Sequence, residues 1–251
     1  EDWRDAALET IAAVVKESGV NAEDIKGLGI SGQMHGLVML DEAGEVIRPS
    51  IIWCDQRTEK ECEEITEKVG AKRLIEITAN PALTGFTASK ILWVRNHEPE
   101  NYAKCKHILL PKDYVRYVLT GEFATEVSDA SGMLLMDVKN RSWSKEMMDI
   151  CGITEDKLPK LYESYEVVGT LKKEIADELG FSENVKVIAG AGDNAAAAVG
   201  TGTVGDGMCN ISLGTSGTIF ISSNKFGVDE NNALHSFAHA DGHYHLMGCM
   251  L

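Results

Sequence analysis

Trp3, Ala7, Ile11, Val14 and Val15 recur at helical spacing and Gly19 follows them, so residues 2–18 predict an amphipathic helix closed by a glycine. The run Gly-Leu-Gly-Ile-Ser at 27–31 predicts a strand, and a loop follows from Gly32 to His35. Residues 37–40 and 45–47 flank Asp41-Glu42-Ala43-Gly44 as a hairpin would, and 51–53 continues as a short buried strand. From 58 to 120 the period turns helical. Helices are expected near 58–69, 87–97 and 111–120, with Gly70, Pro99 and Gly121 as stops, and two more at 142–151 and 170–179. The period then changes again, to a strand at 185–189, a tight turn at Gly190-Ala191-Gly192 and a small-residue helix at 194–199. Strands at 208–213 and 218–222 are joined by Gly214-Thr215-Ser216-Gly217. This succession predicts an α/β protein with a domain boundary near 203–206.

Composition narrows the partners. The 251 residues hold 24 Lys plus Arg against 39 Asp plus Glu, a formal charge of −15. Nucleic acid and anionic membrane surfaces are poor partners for such a chain, because phosphates must be met by clustered cations. An anionic small ligand is not excluded, since its binding follows the local field. Hydrophobic residues at 44% and charged residues at 25% fit a soluble globular chain. No apolar stretch reaches the roughly 18 residues that span a bilayer, and no secretory leader opens the chain. Cysteines at 54, 62, 105, 151, 209 and 249 form no C-x-x-C pair and suggest a reducing, cytoplasmic setting. The chain opens without Met and closes within the apolar run His245-Leu246-Met247-Gly248-Cys249-Met250-Leu251, so a slice of a longer protein is expected.

Four stretches carry candidate chemistry. In Gly190-Ala191-Gly192-Asp193-Asn194, glycines after a strand allow close backbone approach, and Asp193 stands at a helix start. It is either an N-cap, its carboxylate taking a free backbone N–H, or a general base facing a substrate hydroxyl. Gly190, Gly192 and Ala195 also fit the dinucleotide pattern G-x-G-x-x-A of a NAD-binding oxidoreductase. Against that, Asp193 would set a carboxylate beside the pyrophosphate, and no ribose-binding acid follows at the expected distance. Gly214-Thr215-Ser216-Gly217 is either a plain hairpin turn or a phosphate cradle of exposed N–H groups and hydroxyls. No G-x-x-x-x-G-K-[ST] is present, which excludes a P-loop enzyme by pattern. Gln33-Met34-His35 between two glycines fits the rim of a small-molecule cleft, and Trp53-Cys54-Asp55-Gln56-Arg57 offers the aromatic face and polar groups that suit a sugar. The plainer readings are a structural His and a core Trp before a helix cap. His235, His239, His243 and His245 crowd the end without the tight spacing or visible companion acids of a metal site, and no metal ligand is assigned.

Taken together these pieces resemble the FGGY carbohydrate kinases, closest to the xylulokinase branch. The run Gly85-Phe86-Thr87-Ala88-Ser89-Lys90-Ile91-Leu92-Trp93-Val94-Arg95-Asn96-His97 matches the family's first signature, with Lys90 and Trp93 in place. Gly32-Gln33-Met34-His35-Gly36, Asn80-Pro81-Ala82-Leu83-Thr84, Leu110-Pro111-Lys112-Asp113-Tyr114 and Gly192-Asp193-Asn194 are similar to that branch, in the family's order. Ser89 stands where the branch often has proline. The resemblance implies an actin-like, ribonuclease-H-like α/β fold of two domains around a cleft. Residues 1–204 would be the sugar-binding domain without its first strands, and 205–251 the start of the ATP-binding domain. It implies phosphoryl transfer from ATP, with Mg²⁺, to the terminal hydroxyl of a ketopentose, D-xylulose before other sugars or polyols. Asp193 would be the base, Met34, His35, Trp53 and Asn194 would meet the sugar, and Gly214, Thr215 and Ser216 the ATP phosphates. The family's first phosphate loop should precede Glu1 and most of the ATP domain should follow Leu251. The chain alone is therefore expected not to turn over, with a non-catalytic sugar-binding fragment or actin-like interaction module as the competing readings. A homodimer is left open.

Overall fold

In a computed structural model of the chain, residues 2–214, 217–229, 231 and 233–250 are described. The strand Gly27–Leu28 runs parallel to Lys186–Ile188, which pairs antiparallel with Val167–Thr170. The helices Asp2–Ser18, Pro111–Thr120 and Lys173–Leu179 cover these strands, burying Leu8, Leu119, Ile175, Phe181, Val185 and Val187 together. Burial of each such side chain contributes about 1.5–3 kcal/mol.

The strand expected at 27–31 is split. Ser31–Gly32 forms a second short parallel pair with Ala191–Gly192. Gly190 explains the break. Its φ is +80°, and a Cβ there would stand 2.2 Å from the Ile30 carbonyl oxygen, so the chain bends where only glycine fits. The turn expected at 190–192 is thus one glycine followed by two paired residues.

A larger core surrounds the helix Thr87–His97, in which Thr87 to Leu92 and Val94 are buried. The helices Glu59–Val69 and Ala71–Thr78 contribute Ile65, Leu74 and Ile77 to it. An antiparallel sheet at the chain end, ordered Cys209–Leu213, Gly217–Ser223, Tyr244–Met250 and His235–Ala238, adds Phe237, Ala238 and Met247. Among the described residues, no helix is long and apolar enough to cross a membrane.

The helices expected at 58–69, 87–97 and 111–120 form as Glu59–Val69, Thr87–His97 and Pro111–Thr120. That expected at 142–151 starts only at Lys145, because Ser144 caps it by accepting the Met147 N–H at 3.2 Å, while Ser142–Trp143 pairs with Met136–Asp137. The helix expected at 170–179 likewise starts at Lys173, since Thr170 belongs to the sheet. The hairpin at 37–47 keeps one bridge, Leu40 to Val46, because Val38–Leu40 takes His107–Leu109 as its main partner. The strand expected at 51–53 shrinks to a bridge between Leu37 and Ile51, leaving Trp53 on the surface at 55% exposure. The helix Pro99–Lys104 was not expected.

Candidate functional site

The paired segments Ser31–Gly32 and Ala191–Gly192 end side by side. The first runs into the loop that carries Met34 and His35, the second directly into the helix that begins with Asp193 and Asn194. Their approach is tight. A Cβ on Gly192 would lie 2.9 Å from Met34 Cγ, and one on Gly132 would lie 2.2 Å from His35 Nδ1 and 3.3 Å from Met34 Cε. Glycine at 132 and 192 thus makes room for this Met-His pair.

His35 has φ +68°, a left-handed conformation uncommon for a residue with a side chain. Its ring Nδ1 lies 3.0 Å from the Gly132 carbonyl, and its edge packs on Phe86 with centroids 4.6 Å apart. A carbonyl only accepts, so Nδ1 holds the proton and donates. Burial, together with the nearby Lys90 and His235, pushes the His35 pKa down to about 3 despite that bond. The imidazole is therefore neutral at pH 7, and Nε2 is a bare acceptor suited to a hydroxyl donor. The His35 carbonyl is gripped in turn by Lys90 Nζ at 2.8 Å and Thr87 Oγ1 at 3.1 Å.

Asp193 is the first residue of the helix Asp193–Gly200, and Gly192 occupies the cap position that sequence considered for Asp193. The carboxylate keeps solvent access. Withdrawal from bulk water raises its pKa, and the backbone N–H groups of Asn194, Asp193 and Met34 oppose that rise by bonding the ionised form. Among the described residues it forms no ion pair. A carboxylate at a helix N-terminus, bonded by backbone and free of a counter-cation, can accept a proton from an incoming hydroxyl.

The run leading to Asp193 is held by a buried charge network that the sequence reading missed. Lys112 Nζ lies 2.9 Å from Asp113 Oδ1 and 3.4 Å from both Glu126 Oε1 and Asp129 Oδ2, with all four side chains fully buried. Arg116 pairs with Asp113 at 2.9 Å, and donates to the Ala189 carbonyl at 2.5 Å and to the Ala124 carbonyl. Glu126 accepts from Ser128 Oγ at 2.9 Å and Ser164 Oγ at 2.6 Å, and Ser128 Oγ accepts the Gly192 N–H at 3.1 Å. The Gly190 N–H donates to the Ser164 carbonyl at 3.0 Å. Residues 189, 190 and 192 are thus each tied to the network or to one of its partners. Burial alone would raise the Asp113 carboxyl, but Lys112 and Arg116 hold it below its usual range. Asp129 goes the other way: burial, then the charges of Asp113, Glu126 and Asp193, push it well up against the pull of Lys112. The sequence signal was there: Asp113 and Arg116, three apart, fall on a helix face that must be buried.

Asn194 is half-buried and follows Asp193 directly. Trp53 connects to the site through its backbone: a Cβ on Gly85 would sit 3.4 Å from the Trp53 carbonyl, and the Gly85 carbonyl shares Lys90 with His35. Gly214 lies in the exposed bend after Leu213. Thr215 and Ser216 fall outside the described residues. Cys249, opposite Thr218 in the adjacent strand, has its thiol raised by burial and by the charge of Asp193. Of the crowded histidines, His235, His239 and His245 pack on aromatics or on one another, with His245 stacked on Phe220 at 4.0 Å, His239 Nε2 3.0 Å from the Thr203 carbonyl and His235 Nδ1 3.0 Å from Asn80 Oδ1, while His243 Nδ1 lies 3.4 Å from Asp241 Oδ1. Gly190 and Gly192 serve backbone and Met34 packing, which accounts for the dinucleotide-like spacing without a pyrophosphate.

The profile of the FGGY family of carbohydrate kinases, N-terminal domain, matches residues 1–200. The chain belongs to the FGGY carbohydrate kinase family. Xylulose kinase of Escherichia coli (strain K12) is 44% identical over 252 residues, covering 100% of this chain and 51% of the relative. Xylulose kinase of Bacillus subtilis (strain 168) is 44% identical over 239 residues, covering 95% and 48%. The chain spans about half the length of these FGGY relatives. Among solved structures, xylulose kinase from Rhodospirillum rubrum superposes with a TM-score of 0.94 at 25% identity, covering 100% of this chain and 51% of that one. A xyloylose kinase from Brucella ovis gives 0.89 at 39% identity, covering 96% and 49%. The actin-like α/β fold implied by the FGGY motifs is the fold of this chain.

Proposed function

We propose that the whole protein transfers the γ-phosphoryl group of ATP to the terminal hydroxyl of a ketopentose, D-xylulose, giving D-xylulose 5-phosphate. Family membership and the xylulose kinases at 44% identity support this substrate class. The observation that carries the chemistry is the solvent-reaching Asp193 carboxylate, bonded by the Met34 backbone N–H and set beside the Met34–His35 loop.

In this reading Met34 supplies an apolar wall for the sugar, and His35 accepts a hydroxyl hydrogen at Nε2. Asn194 and Trp53 complete the sugar contacts. Asp193 takes the proton of the terminal hydroxyl as that oxygen bonds to the γ-phosphorus and the bond to the β-bridging oxygen breaks. Such catalysis rests on positioning and charge stabilisation, so the gripped backbone at 189–192 matters as much as the base itself. Gly214, with Thr215 and Ser216, is assigned to the ATP phosphates. An Asp193 side chain without a protein cation also suits a hydrated Mg²⁺ accompanying ATP, which would supply neutralisation of phosphate charge. The free state of all six cysteines supports a reducing, cytoplasmic setting. For the 251-residue chain alone we propose sugar binding without turnover, checked by calorimetry with D-xylulose and a coupled ATPase assay.

The deciding experiment is Asp193→Asn in the whole protein. Turnover should fall by about 10²–10⁴ while D-xylulose affinity stays close to that of the parent. Near-normal turnover in the variant removes Asp193 from its role.

A further inference from the structure

Lys90 is fully buried, yet no carboxylate lies within ion-pair distance of it among the described residues. Its ammonium instead donates to two backbone carbonyls, His35 at 2.8 Å and Gly85 at 2.5 Å. It is the fourth residue of the helix Thr87–His97, so it sits at the end where the helix dipole is least favourable to a cation. Burial pushes its pKa down to about 8, with Asp55 the foremost opposing charge. A buried cation in so poor a place is costly to the fold. What it holds is specific: the two carbonyls belong to the left-handed His35 and to the residue whose Cβ position abuts the Trp53 backbone.

The left-handed backbone at His35 turns its carbonyl inward, towards the start of the helix, and its ring towards Gly132 and Phe86. Thr87 Oγ1, at 3.1 Å, is the other donor on that carbonyl. Without these donors the carbonyl would be a buried acceptor lacking a partner, and the residue would relax towards the backbone regions that side chains prefer. Met34 and the imidazole would then rotate away from Asp193.

We propose that Lys90 is a positioning residue of the sugar site, clasping the His35 and Gly85 carbonyls and thereby fixing the aim of the Met34–His35 pair and the placement of the Trp53 segment. The proposal rests on the reading above in which Met34 and His35 meet the sugar. Lys90 itself touches no substrate. It acts through the backbone, and its charge adds to the burial that keeps His35 neutral.

The test uses steady-state kinetics of the whole protein with Lys90→Met, Thr87→Val and His35→Ala. Loss of the ammonium clasp should raise KM for D-xylulose about tenfold, and loss of the weaker hydroxyl donor about threefold, the scale of one buried hydrogen bond. KM for ATP should stay within about twofold in both, since the clasp does not reach the nucleotide side. A purely structural role would instead lower the active fraction, so that kcat drops and both KM values hold. ¹⁵N spectra of the histidine rings add a readout without turnover: in Lys90→Met the locked Nδ1–H signature of His35 should be lost. An unchanged KM for D-xylulose in folded Lys90→Met overturns the proposal. Should that variant not fold, the KM split in Thr87→Val decides by the same rule. His35→Ala separates the two layers. Unchanged sugar KM there defeats the sugar-site reading, whereas a raised KM there with none in Lys90→Met defeats the clasp alone.

Discussion

Lys90→Met should change how stability depends on alkaline pH, in a direction fixed by linkage. The wild-type ammonium has its pKa pushed down from 10.5 to about 8, chiefly by burial. Between these values the unfolded chain holds the proton and the folded chain has released it. The unfolded state therefore binds more protons, and stability rises with pH. At ~1.36 kcal/mol per pH unit the full window is worth about 3 kcal/mol. Below pH 8 that cost is fully present, and above pH 10.5 it is gone. Methionine has similar volume and no proton, so its stability lacks this component. The measurement is urea unfolding of both proteins from pH 7.5 to 10.5 at fixed ionic strength. Tyrosines, cysteines and the other lysines titrate alike in both and cancel in the difference. Wild-type stability minus that of Lys90→Met should climb by about 3 kcal/mol across the window. Parallel curves would refute the reasoning. Near pH 7 the two should lie within about 2 kcal/mol of each other, because an apolar replacement removes the desolvation cost while leaving two carbonyls short of a donor.

Three further substitutions probe the frame around the loops. Gly132→Ala should push the imidazole off the Gly132 carbonyl, since its Cβ would stand 2.2 Å from His35 Nδ1. A loss of about 1–3 kcal/mol by urea unfolding, with weaker D-xylulose binding by calorimetry, is expected. Gly190→Ala should lose more than Gly132→Ala, because the obstacle is the Ile30 carbonyl and φ is +80°. Equal midpoints for the two would contradict the steric account. Asp113→Asn removes the carboxylate shared by Lys112 and Arg116 and should cost about 3–5 kcal/mol, read from the urea midpoint.

Much of this was legible in the residues. The helices ending at Gly70 and Gly121 follow from local spacing plus a stop, because their termination is chemistry of adjacent residues. The short strands were less legible. Val38–Leu40 could have paired with 45–47 nearby, yet it takes His107–Leu109, a choice made by the core and not by its own sequence. Trp53 illustrates the same limit, since an aromatic after two isoleucines reads as core until its neighbours are placed. At the candidate site, glycines flagged Asp193 and the Met34–His35 loop because close backbone approach demands them. The Lys90 clasp and the network of Lys112, Asp113, Arg116, Glu126 and Asp129 were hidden. Asp113 and Arg116 share one helix face, but the Lys90 partners are backbone carbonyls and Glu126 and Asp129 reach Lys112 from other elements, contacts that no spacing along the chain reports.

The side-by-side pairing of Ser31–Gly32 with Ala191–Gly192 works as a ruler between two distant stretches of chain. An extended residue advances about 3.3 Å and reverses the side to which its successor points. Adding or deleting one residue between Val187 and Asp193 would therefore shift the carboxylate by a whole contact distance and turn it about face. Substitutions can accumulate there, but length cannot drift. In descendants of this chain, gaps should collect in surface connections such as 41–44, while the spacing from Ser31 to His35 and from Ile188 to Asp193 stays constant.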